Sequence, residues 1–98
     1  PYTTLFRSVT IATSGTTISL AQLATPGWVM LTNIDSTNYV SYGLYISSTF
    51  HPLGELLAGE STPLRLARDI LTANTSAAVL RLKANTAPVN VVIDAFDK

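Results

Sequence analysis

The chain has 98 residues, enough for one domain and too few for a second core. Apolar residues make up 47% and charged residues 12%, which excludes a disordered chain, since disorder needs low hydrophobicity and high net charge. Six basic and six acidic residues cancel, leaving no net charge to draw nucleic acid, and no cysteine is present for a disulfide, a thiolate nucleophile or a thiolate zinc site.

Pro1-Tyr2-Thr3-Thr4-Leu5-Phe6-Arg7-Ser8 is rich in strand-favouring Thr, Tyr and Phe. All eight residues also resemble the in-frame translation of a sequencing-adapter oligonucleotide, as would survive in metagenomic sequence. On that resemblance residues 1–8 are non-native, and one β-sandwich domain is expected over residues 9–98.

From Val9 onward the pattern is mostly period two. Val9 and Ile11 alternate with Thr10 and Ala12, and Ile18 and Leu20 with Thr17 and Ser19. Ser14-Gly15 between them is a turn signal, so the two runs read as a hairpin. Leu20-Ala21-Gln22-Leu23-Ala24 has an alternative as a short helix, which Thr25-Pro26-Gly27 ends. Trp28 to Thr32 is a continuous apolar run, the pattern of a strand buried on both faces. Its apolar core, Trp28 to Leu31, is far short of the roughly 20 residues a membrane helix needs.

Asn33-Ile34-Asp35-Ser36-Thr37-Asn38 reads as a turn-rich loop. Val40, Tyr42, Leu44 and Ile46 then alternate with Ser41, Gly43 and Tyr45, which places the first set on the core. Phe50 to Glu60, broken by one proline and two glycines, is expected to be an edge strand followed by a turn. In Thr62 to Leu66, Leu64 and Leu66 point inward and Arg65 outward. Residues 63–71 also fit helical spacing through Leu64, Ala67 and Leu71, with strand the preferred reading. Leu80, Leu82 and Ala84 alternate with Arg81 and Lys83; Val89, Val91, Ile93 and Ala95 alternate with Asn90, Val92 and Asp94. Asn85-Thr86-Ala87-Pro88 would join these two runs as a hairpin. The pattern is all-β: an antiparallel β-sandwich or jelly roll of about seven to eight short strands.

Residues with catalytic chemistry are sparse. His51 is the single histidine and lies in no nucleophile motif, so a loop position is the expectation. Asn33, Asp35 and Thr37 alternate like calcium ligands, but the glycine and distal glutamate of an EF-hand are missing, and a polar turn is the better reading. The five glycines are dispersed and form no phosphate loop. No catalytic, cofactor or metal site is expected, and no enzyme. Arg81 and Lys83 share a strand face, read as solvated. Tyr39 and Tyr45 fall opposite the core-facing residues; with Trp28 they are the candidate partner-binding surface, suited to a protein or a sugar ring. The competing reading is that tyrosine covers a strand edge.

Three stretches carry a family resemblance: Asn33-Ile34-Asp35-Ser36-Thr37-Asn38-Tyr39-Val40, Leu56-Leu57-Ala58-Gly59-Glu60 and Leu82-Lys83-Ala84-Asn85-Thr86-Ala87. In this order, across Val29 to Asp97, they resemble a family of small virion structural proteins of tailed bacteriophages. The motifs are mostly turn chemistry and only weakly specific. The resemblance implies a β-sandwich of capsid or tail, assembled in many copies, without enzymatic activity; it carries over no functional residues. The expected partners are further copies of the chain and other virion proteins, with no nucleic acid and no membrane. The expected location is the virion, assembled in the host bacterial cytoplasm, which a cysteine-free chain suits. A carbohydrate- or host-surface-binding module is the alternative.

Overall fold

Eight β-strands and no helix make up the described residues of the computed structural model, which are 4–20, 26–66 and 78–97. The strands are β1 (Thr4–Ile11), β2 (Thr16–Thr17), β3 (Pro26–Asn33), β4 (Val40–Ile46), β5 (Thr49–Leu56), β6 (Ser61–Arg65), β7 (Val79–Ala84) and β8 (Val89–Asp97). They form two four-stranded antiparallel sheets, ordered β1-β8-β3-β6 and β2-β7-β4-β5.

The pairing has a regular logic. β1 pairs with β8, β2 with β7, β3 with β6 and β4 with β5. The chain is thus one long hairpin, bent back at the β4–β5 turn and rolled up. The β3–β8 and β4–β7 contacts close the roll. This is jelly-roll topology, a sandwich of two interlocked sheets.

Alternation fills the space between the sheets. Val29 and Leu31 of β3 and Val91, Ile93 and Ala95 of β8 are fully buried on one side. Val40 of β4 and Leu82 of β7 are fully buried on the other, beside nearly buried Leu56, Leu80 and Ala84. Each valine, leucine and isoleucine among them contributes about 1.5–3 kcal/mol by leaving water. β4 presents Val40 and Tyr42 to this core as expected, with Leu44 and Ile46 half-buried. Gly43, on the opposite face, is nonetheless buried. A Cβ there would collide with the His51 carbonyl of β5, so glycine lets the edge strand close against β4. At the same place β5 bulges, with Leu53 extra in the ladder and exposed.

The structure corrects three expectations. Val9 to Leu20 does not pair as a hairpin: β1 and β2 lie in different sheets. The Ala12 carbonyl accepts from both Gly15 N (3.0 Å) and Ala84 N (3.1 Å), and there the chain crosses between sheets. β7 and β8 are likewise not partners, and their loop spans the sandwich. The third concerns β3, which is buried on one face alone: Trp28 and Met30 are 46% and 37% exposed. A two-layer fold covers one face of each sheet, so an all-apolar strand leaves every second side chain in water.

Other expectations fall where they were placed. β5 is an edge strand followed by a turn, β6 points Leu64 inward and Arg65 outward, and Leu66 just after it is buried. The alternative helices at residues 20–24 and 63–71 fall partly outside the described residues; Ser61 to Arg65 is strand. No break marks residue 8: β1 runs continuously from Thr4, and Leu5 is buried.

Candidate functional site

Two regions stand out, an outward sheet face and a polar end. The face belongs to the β1-β8-β3-β6 sheet. Cross-strand register places Phe96, Trp28 and Arg65 side by side in one row and Phe6, Asp94, Met30 and Pro63 in the next. The next row is mostly polar, with Ser8, Val92, Thr32 and Ser61 in register. The apolar end of the face forms a shallow groove of about 310 Å3 lined by Trp28, Val29, Met30, Pro63 and Phe96. The Arg65 guanidinium lies 5.3 Å from the Trp28 ring centroid, close enough for cation–π attraction. Phe6 is 71% exposed and extends the patch onto β1, within the segment read as non-native. Trp28, Met30, Pro63 and Phe96 form the patch without it.

The polar end is built around Asn33. Its position continues the core-facing series Val29, Leu31, and its side chain is fully buried. Nδ2 donates to the Asn38 carbonyl (2.9 Å) and the Leu56 carbonyl (3.1 Å), and Oδ1 accepts from Asp35 N (2.9 Å). Asp35 Oδ2 accepts from Asn38 N (2.7 Å) and Thr37 N (3.1 Å). These backbone donors, Asn38 first, hold the Asp35 carboxyl below the usual carboxylate range. The side-chain oxygens that sequence spacing aligned as calcium ligands therefore organise a loop.

The Leu57-Ala58-Gly59-Glu60 turn docks on the same asparagine. Glu60 N donates to the Leu57 carbonyl (3.0 Å), and Gly59 has φ 83°, which marks a type II turn needing glycine at its third position. Asn33 N donates to the Glu60 carbonyl and its own carbonyl accepts from Gly59 N. The Glu60 side chain accepts from Leu57 N (2.8 Å). Thr86 Oγ1 reaches Asn38 Oδ1 at 3.3 Å from the β7–β8 loop. The three stretches that carry the family resemblance thus meet at one end of the sandwich.

The expected surface residues separate. Trp28 sits on the apolar face just described. Tyr45 lies on β4 of the other sheet and Tyr39 just before that strand; six residues apart along one chain segment, about 20 Å, they are not spanned by a single sugar ring. Tyr39 is 36% exposed and borders a groove of about 190 Å3 with Ser41, Lys83, Ala84 and Asn85. Tyr45 is covered by Arg81, whose guanidinium carbon lies 4.0 Å from the ring centroid. Arg81 also donates to Thr17 Oγ1 (2.9 Å), so it braces β2 against β4 across β7. His51 lies exposed on edge strand β5.

Sequence reasoning missed Met30, Pro63, Arg65 and Phe96 as a surface. The signal for Phe96 was present, because it continues the outward series Asn90, Val92, Asp94. For Met30 it was hidden, since Trp28, Val29 and Leu31 beside it on β3 are apolar on both faces. No family model, curated protein or solved structure matches this chain at a significant level.

Proposed function

We propose that this chain is a non-enzymatic structural protein of a tailed-phage virion, a decoration, head–tail or tail-associated component that works by protein–protein assembly. The observation that carries the reading is the outward face of the β1-β8-β3-β6 sheet. Trp28, Met30 and Phe96 lie exposed together there, on a chain with 12% charged residues. A contiguous apolar patch rimmed by polar rows is the form of a protein interface. The composition leaves little charge to keep such a surface apart from partners.

Two further points support the reading. The motifs that resemble the phage family form one hydrogen-bonded end of the fold, so the resemblance follows a structural unit. Jelly rolls also recur in viral capsids, although they serve lectins and cupins too, and fold alone does not select among these. The separation of Trp28, Tyr39 and Tyr45 weighs against the carbohydrate alternative as one aromatic platform.

The test is the genomic neighbourhood of the gene, followed by mass spectrometry of particles from the same source. Terminase, portal or tail genes alongside, and peptides of this chain in purified particles, are the expected result. A metabolic operon with no phage genes nearby would overturn the reading.

A further inference from the structure

The outward face of the β1-β8-β3-β6 sheet carries its charges in a pattern that fits a copy of itself. Arg65 on β6 is exposed at one corner of the apolar patch. Asp94 on β8 is half-buried at the opposite corner. Register puts them two strands and one row apart, about 12 Å between backbones at ordinary strand spacing, and the Arg65 guanidinium lies over the Trp28 ring.

We infer that two copies of this chain pack face to face through this patch about a two-fold axis. The inference rests on the assembly reading and names its partner. An axis lying in the interface and crossing β3 between Trp28 and Met30 brings Arg65 over Asp94 of the second copy. The same operation sets Trp28 against Phe96 of the second copy and Met30 against its Pro63. One rotation therefore satisfies both charges and both apolar pairs, as an isologous contact requires. The strands of the two sheets then cross at about 70°, nearer to orthogonal than to aligned sheet packing, with the faces about 10 Å apart.

Area sets the strength. The axis lies near one end of the sheet and β6 has only five residues, so the two copies overlap at the patch alone, roughly 230 Å2 each, well below a standard specific interface. Association in the high micromolar range is expected, tightened where many copies assemble.

Sedimentation equilibrium of the whole chain across the micromolar range tests this, with far-UV circular dichroism to check each fold. The wild-type chain is expected to dimerise reversibly. W28A should abolish dimerisation. R65D and D94R should each weaken it about tenfold or more, because each reversed contact occurs twice in the dimer. The double variant R65D/D94R should recover association to within a few-fold of wild type. Dimerisation untouched by all of these, or a double variant weaker than either single one, would overturn the pairing while leaving the assembly reading intact. A strict monomer in solution overturns the pairing as well, and if purified particles also lack the chain both readings fall.

Discussion

Asn33 occupies a core-facing position that the series Val29, Leu31 would give to an aliphatic side chain. Its burial is tolerated because every polar atom of the side chain is engaged, which is the condition for placing an amide in a core. Replacing Asn33 with Ala leaves the Asn38 and Leu56 carbonyls and Asp35 N without their partner. A loss of about 2–4 kcal/mol is expected, read as a lower urea midpoint at unchanged slope. Asp35 makes a pH-dependent contribution. Its folded pKa is depressed, so its stabilisation is complete above the unfolded value of about 4 and is lost as pH falls through the folded value. In Asp35→Asn this part of the acid limb should disappear. Urea midpoints from about pH 2.5 to about pH 7 should therefore fall less steeply at the acid end than in wild type. Equal acid limbs in the two proteins would exclude Asp35 as a contributor.

At the scale of elements, the β4–β5 hairpin is joined by the two-residue turn Ser47-Ser48, flanked by the Ile46–Thr49 pair. Both serines have positive φ, 51° and 63°, the backbone of a type I′ turn. Serine adopts that region at a cost, whereas Asn-Gly adopts it readily. The double substitution S47N/S48G should raise stability by about 1–2 kcal/mol, seen as a higher thermal midpoint. No change would mean the turn relaxes differently from its flanking pair. The strand edges show a related division. Three of the four edges are guarded: β5 carries Pro52 and the Leu53 bulge, β6 carries Pro63, and β2 has only two residues, while β1 is an eight-residue edge with none of these devices. Proline, bulges and brevity each hinder pairing with another strand. Assembly through a sheet face agrees with the arrangement at those three edges.

For the whole molecule, the rolled topology joins strands that are distant in sequence. Thr4 pairs with Phe96, and Thr16 pairs with Leu82. Loops must close before such contacts give any return, so folding should be slow for the chain's size. Stopped-flow refolding followed by Trp28 fluorescence is expected on a timescale of about 10 ms to seconds. Completion within about 100 μs would contradict an ordering set by topology.

Much of the fold was legible because period-two alternation reports which face of a strand is dry. Val40 and Tyr42, Leu64 and Leu66, and the paired series of β7 and β8 all lie on the predicted faces. Turn chemistry was equally local: Leu57 to Glu60 turns where its glycine requires it. Alternation is silent on which strand lies alongside. Both expected hairpins therefore resolve into crossings between sheets, and the β7 and β8 faces meet across the core instead of side by side. The sequence by itself determined the all-β class, the faces and the turns, because each depends on neighbours a few residues apart. Only the tertiary structure decided that Asn33 ties three loops together and that Trp28, Met30, Pro63 and Phe96 share one open surface. Both arise from residues brought together across long stretches of chain, and no local pattern encodes that proximity.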